Sequence, residues 1–291
     1  MITCTPLTNA FGVCVEGLTL SDISDSTFAQ LRALFEEHSL LLFKDQSLSD
    51  ADHIALAERF GPIEDRDTDD LKVGKDFKVP VVSNVREDGS VTGEMDMHTL
   101  NLKANMLWHA DSTFLPIPAL VNILTARVVT ATGGHTEFAS TRAGWEAMPE
   151  SMKSKVRDTG FWHHLAHSRS RVSPELGKME MFHKWPKQLW RAVWANPVNG
   201  REALYVASHA YKVEGMSDEK GAELIDQLLD WVSQPQFVYS HKWTPNDVMI
   251  WDQRAVLHRA TPWNYNLPRK LSSICVSATS ADGVDGMRLY D

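Results

Sequence analysis

Apolar positions along the chain change period several times, and each change predicts an element. From Asp25 to His38, Phe28, Leu31, Leu34 and Phe35 recur at three- and four-residue intervals, which predicts a helix. Ser39–Gln46 follows as a short apolar run and reads as a buried strand. Leu48–Gly61 reads as a second helix, with Ser49 as its cap and Gly61 as its stop. Residues 1–20 suggest short strands. From Arg66 to Leu102 the chain turns polar, broken only by the strand-like Val79–Val85, and Arg86–Leu102 has no period and reads as a long loop. Leu107–Phe114 and Ala119–Val129 read as strands, and Thr130–Phe138 as a turn. Thr141–Asp158 has helical spacing despite a proline. After the aromatic and basic stretch 160–200, Ser217–Gln234 is amphipathic with a clear helical period. The last quarter alternates as strands do. Short strands outnumber helices, so the pattern predicts one β-rich α+β domain over residues 1–291, with helices packed outside the sheets.

Composition narrows the function classes. The 291 residues carry 38 acidic and 29 basic side chains, a net charge of −9, which argues against a nucleic-acid partner. No apolar run approaches the roughly 20 residues of a membrane helix. The N-terminus has no basic start followed by an apolar core, so no secretory signal is visible. Cys4, Cys14 and Cys275 form no metal spacing, and reduced thiols in the cytoplasm are the expectation. Ten tryptophans and 12 histidines point to a large aromatic core, with some of these rings lining a pocket.

The stretch "LWHADSTF" sets His109 and Asp111 two positions apart among apolar and small residues. On a strand both would face one spot, and burying two such groups together calls for a partner such as a metal ion. His258, in "WDQRAVLHRA", supplies a third candidate ligand. Two histidines and one carboxylate with open positions beside them form the facial triad of non-haem iron(II) oxygenases. Arg269 lies eleven residues after His258, beyond a turn, where a guanidinium could bind a carboxylate bidentately. Thr136, in "GGHTEF", could donate a hydroxyl hydrogen bond to the same group. "HHLAH" offers His163, His164 and His167 as a second cluster. It lacks the glutamate base of a zinc hydrolase, and pocket-lining or ordinary histidines are the simpler reading.

Taken together, "WHADSTF", "GGHTEF", "WDQRAVLHRA" and "LPRK", in this order and at these separations, resemble the TauD/TfdA family of iron(II)- and 2-oxoglutarate-dependent dioxygenases. The similarity is greatest to the branch that opens aryloxyalkanoates such as phenoxypropionates. It implies a double-stranded β-helix (jelly roll) with long lid loops, here Arg86–Leu102 and His163–Trp194. It implies iron on His109, Asp111 and His258, and 2-oxoglutarate held by Arg269 and Thr136 with Trp251 beside it. Asn105 matches a substrate residue, and His209 a histidine near the pocket. A homo-oligomer, dimer or tetramer, is common in the family. Dioxygen and 2-oxoglutarate would be consumed, succinate and carbon dioxide released, and a small acid hydroxylated. Hydroxylation beside an ether oxygen would lead to cleavage of the ether.

One departure concerns the substrate. Family members that act on taurine or 2,4-dichlorophenoxyacetate carry a second arginine four residues after the 2-oxoglutarate arginine, and Ser273 stands there in this chain. Lys103, Arg169, Arg171 or a protonated His163 could supply the missing cation. The alternatives are an alkylsulfonate or alkyl sulfate substrate, a metal-dependent hydrolase using the same triad, or a binding protein that has lost catalysis.

Overall fold

The computed structural model describes residues 2–74, 76–94 and 96–290. Met1, Lys75, Met95 and Asp291, which fall within the stretches read above as 1–20, 66–102 and 1–291, lie outside the described residues. The first part of the chain runs β1 (Thr3–Pro6), β2 (Val13–Glu16), α1 (Asp25–His38), β3 (Leu40–Phe43), α2 (Asp50–Glu58), β4 (Val81–Ser83) and α3 (Met97–Lys103). Next come β5 (Ala119–Val128), β6 (Thr136–Ser140), α4 (Thr141–Glu146), α5 (Glu150–Lys153), β7 (Gly160–His163), α6 (Leu165–Ser170), α7 (Pro174–Lys178), β8 (Gln188–Arg191), β9 (Val193–Ala195), β10 (Glu202–Leu204) and β11 (Ala210–Val213). The chain ends with α8 (Asp218–Val232), β12 (Val238–His241), β13 (Val248–Asp252), β14 (Val256–Ala260) and β15 (Lys270–Ser277).

Among the described residues the largest sheet orders its strands β1-β2-β3-β13-β5-β15-β4, antiparallel except for the β2–β3 pair. β12, β6 and β14 form a second antiparallel sheet. Side chains of the two sheets meet in one apolar cluster, where Leu124, Met249, Trp251 and Leu271 of the large sheet pack with Phe138 and Val256 of the small one. On its other face the large sheet is covered by α1 and α2, through Leu31, Phe35, Leu56 and Ala57. Helix α8 lays Leu224, Ile225, Leu228 and Val232 on a third cluster that includes Leu257 of β14. No helix among the described residues is long and apolar enough to cross a membrane.

Where local chemistry was strong, elements fall where the pattern puts them. Ser24 caps α1 by accepting from the Thr27 N–H, and Ser39 closes it in a left-handed turn. Ser49 and Asp52 form a reciprocal capping box on α2.

Four expectations need correction. Leu107–Phe114 is not a strand: His109 makes a single two-way bridge to His258, and the chain then turns through Ser112 at φ +61°. Arg86–Leu102 is not all loop, because Asp96 caps α3. Seven helical residues show too few turns for a period to be read. The helix expected over Thr141–Asp158 breaks in two at Pro149, which has no N–H to continue α4 and stands instead at the start of α5. His163–Trp194 is not a structureless lid either, for it holds α6, α7 and β8.

Candidate active site

The His109–His258 bridge is where the site begins. His109 N–H donates to the His258 carbonyl at 3.0 Å, and His258 N–H donates back at 2.8 Å. This exchange brings the two imidazole rings to 4.1 Å between centroids. The turn at Ser112 then folds Asp111 back toward them. Its Oδ1 lies 4.0 Å from His109 Nε2, and its Oδ2 lies 3.7 Å from His258 Nε2. One ligand atom from each residue lies within 4.8 Å of the others.

The donor set fits a divalent transition metal. His109 Nδ1 sits 2.7 Å from the Leu107 carbonyl, which makes it the protonated nitrogen and leaves the Nε2 lone pair facing Asp111. Burial pushes the His258 imidazole down to about 3 and also lowers that of His109, so both rings are neutral ligands at neutral pH. Burial pushes the Asp111 carboxyl up, but His258, His109, Arg66 and the Asn122 amide together hold it below the usual carboxylate range. Two neutral imidazoles and one carboxylate are the set that suits non-haem iron(II).

Two residues not singled out from the sequence control the carboxylate. Asn122 Nδ2 and Gln253 Nε2 each donate to Asp111 Oδ2 at 2.7 Å, while Oδ1 accepts from neither. Asn122 could have been flagged as a polar residue inside the apolar run Ala119–Val129. Such a residue is buried only with a partner. Ser273 Oγ donates to Asn122 Oδ1 at 3.0 Å, so the serine at the departing position is already engaged.

A cavity of about 760 Å³ opens beside these ligands, and Arg269, Thr136, Trp251, Asn105 and Ser273 also line it. Arg269 is 3% exposed. Its backbone N–H donates to Asn84 Oδ1 at 2.8 Å, and Nε and Nη2 donate to the Gly134 carbonyl at 3.2 and 2.9 Å. The guanidinium stands 5.0 Å from the Trp263 ring centre. Burial pushes its pKa down to about 10, which leaves it cationic at neutral pH, and no acidic side chain among the described residues pairs with it. Gly134, at φ +64°, permits this approach, since a Cβ there would lie 3.0 Å from Arg269 Nε. Thr136 Oγ1 accepts from Trp243 Nε1 at 2.9 Å, which leaves its own hydroxyl hydrogen free to be donated. Trp251 packs 4.7 Å from His258 and is the one tryptophan among the described residues in the cavity wall. Trp145, Trp190 and Trp194 are core residues instead.

His163 and His209, expected at the substrate, stand apart from the cavity. His163 is fully buried on β7 with neither ring nitrogen hydrogen-bonded, and burial pushes it down to about 3, so it is no source of positive charge. His209 lies behind His109, with Nδ1 3.1 Å from Thr113 Oγ1. His163, His164 and His167 form no metal cluster among the described residues; His163 lies on a strand and His167 on α6. Of the two expected lids, the first contributes His98, Asn101 and Leu102 to the cavity and the second only Arg169.

Residues 3–275 match the family model described as taurine catabolism dioxygenase TauD, TfdA family. The chain belongs to the TauD/TfdA family. It is 36% identical over 272 residues to a (S)-phenoxypropionate/alpha-ketoglutarate-dioxygenase of Sphingobium herbicidovorans, with 91% of each chain covered. It is 33% identical over 270 residues to an alpha-ketoglutarate-dependent 2,4-dichlorophenoxyacetate dioxygenase of Cupriavidus pinatubonensis, covering 91% of this chain and 94% of that one. The crystal structure of AAD-2 in complex with Mn(II) and N-oxalylglycine superposes with a TM-score of 0.88 at 33% identity, covering 96% of this TauD/TfdA chain and 98% of that one.

Proposed function

We propose that this TauD/TfdA-family chain oxidises an aryloxyalkanoic acid at the carbon bearing the ether oxygen. It is an iron(II)- and 2-oxoglutarate-dependent dioxygenase, an oxidoreductase that releases succinate and carbon dioxide. One oxygen atom of dioxygen enters succinate and the other the substrate C–H bond. The hydroxylated carbon then expels the phenol and becomes the carbonyl of a 2-oxo acid. The observation that carries this reading is the cavity itself, which joins the His109–Asp111–His258 cluster to a buried arginine free of acidic partners among the described residues, and to an apolar wall. The relatives at 33–36% identity, a phenoxypropionate and a 2,4-dichlorophenoxyacetate dioxygenase, support the same reading.

Iron(II), when bound, supplies the activation of dioxygen that couples loss of carbon dioxide from 2-oxoglutarate to hydrogen removal from the substrate. His109, Asp111 and His258 would hold it from one side and leave the other side open. Arg269 would bind the distal carboxylate of 2-oxoglutarate through its unused Nη1, with the Thr136 hydroxyl donating to the same group. Trp251 blocks water beside His258. Phe77, Val82, Leu102 and Leu271 give an aryl ring an apolar surface. We take the large sheet and the β12–β6–β14 sheet as the two halves of a double-stranded β-helix with the site between them.

A succinate-release screen over aryloxyalkanoates, alkylsulfonates and alkyl sulfates tests the reading. Phenol equal to succinate is expected from an aryloxyalkanoate, with weak or no activity on taurine. Efficient taurine turnover with no succinate from phenoxypropionates would reject it, and metal-dependent activity without 2-oxoglutarate would favour a hydrolase.

A further inference from the structure

Arg269 is not the only cation in the cavity wall without an acidic partner among the described residues. Arg169, on α6, lines the same cavity. Its Nε donates to Asn101 Oδ1 of α3 at 2.9 Å and its Nη1 to Ser168 Oγ at 3.0 Å. Its guanidinium carbon stands 5.4 Å from the Phe182 ring centre. These three neutral contacts fix the plane of the guanidinium. Nη2 has no hydrogen-bond partner and no carboxylate lies within ion-pair distance, among the described residues.

Lys78 also lines the cavity, but it is exposed to solvent, and no side-chain hydrogen bond or ion pair fixes its ammonium among the described residues. The remaining cations near the site are committed. Arg66 pairs with Glu64 and donates to Ser112 Oγ at 2.8 Å. Lys103 pairs with Glu94 at 3.2 Å and Arg171 with Asp226 at 3.4 Å, and neither lines the cavity. Ser273 is neutral and bound to Asn122. A partly dehydrated guanidinium with a fixed plane and an unused edge is costly unless an anion meets it, and its fork geometry matches a carboxylate.

We infer that Arg169 binds the carboxylate of the prime substrate, so that the head group is held from α6 while the co-substrate is held by the arginine preceding β15. This rests on the proposed oxidation of an aryloxyalkanoic acid. The head-group cation thus comes from a different element than the strand carrying Ser273.

The test compares wild type, Arg169→Gln, Arg169→Lys and the surface control Lys178→Gln, using a phenoxyalkanoic acid and its neutral primary amide. Succinate release gives KM for acid, amide and 2-oxoglutarate, and calorimetry gives the Kd of the acid. Arg169→Gln should raise KM and Kd for the acid roughly 10- to 100-fold, as loss of a charged hydrogen bond does. The amide and 2-oxoglutarate values should change little. Arg169→Lys, which keeps the charge but not the fork, should fall between, and Lys178→Gln should match wild type. An unchanged acid KM in a folded Arg169→Gln, or equal losses for acid and amide, overturns the assignment and leaves the substrate class standing. A wild type that neither binds nor oxidises any aryloxyalkanoate overturns both.

Discussion

Gln253 holds Asp111 at two points, accepting the Asp111 backbone N–H on Oε1 at 2.9 Å and donating Nε2 to Oδ2 at 2.7 Å. With Asn122 on the same oxygen, the carboxylate is turned so that Oδ1 is left for a metal. Gln253→Ala should therefore weaken iron binding about 10- to 100-fold, the usual cost of losing a partner that orients a ligand. Iron titration of the purified variant, with Tm measured alongside, checks this. Unchanged iron affinity would show that Asn122 alone suffices.

Arg269→Ala should raise the KM for 2-oxoglutarate far more than the KM for the prime substrate. A carboxylate that loses its charged partner in a buried site costs roughly 3–5 kcal/mol. Equal effects on the two constants would mean that Arg269 serves another group.

The fold should lose stability in acid through His53. This ring is fully buried beneath α2, with Nε2 3.0 Å from the Ile123 carbonyl, and burial pushes its pKa down to about 4 from an ordinary 6.5. Between those values the unfolded chain binds the proton and the folded chain does not. Stability is therefore fully present above pH 6.5 and falls as the pH drops toward 4, by roughly 3 kcal/mol for this one group. Urea midpoints across that range should fall less steeply for His53→Gln; identical slopes would assign the acid loss to other groups.

Arg254 ties α1 to β13 in the interior, with Nη2 2.6 Å from Glu36 Oε2 and Nε 2.9 Å from Asp252 Oδ1. All three side chains are buried. Arg254→Met should cost about 3–5 kcal/mol, because two carboxylates lose a charge they face. Chemical denaturation measures it, and a loss under about 1 kcal/mol would show that Arg32, Arg142 and Asn196 satisfy the acids without Arg254.

Much of this was legible in the residues because it depends on local chemistry. Ser49 with Asp52, the period of α1 and the run of β5 each declare themselves within a few positions. The three residues of the candidate metal cluster were legible by type, although the strand imagined around His109 and Asp111 is a bridge followed by a turn. The two geometries bring i and i+2 together for different reasons, so the cluster was reached through the wrong backbone. What stayed hidden depends on distant pairing. Nothing near Gln253 announces that it will meet Asp111, and nothing near Arg169 distinguishes it from Arg171, two positions on, which faces Asp226. The tryptophans misled in the other direction, since one large side chain in a sequence looks like another until the core has taken its share.

The two-way backbone bridge between His109 and His258 also bears on how the protein gains and loses its metal. In many small metalloproteins the ion itself gathers ligands from distant parts of the chain, so that removing it unfolds them. Here two peptide hydrogen bonds hold His109 and His258 together independently of their side chains, so backbone pairing offsets the entropy of closing that long loop. Chelation should leave a vacant but shaped socket that refills without refolding. Added metal should then raise the melting temperature only by the mass action of a ligand on a finished site.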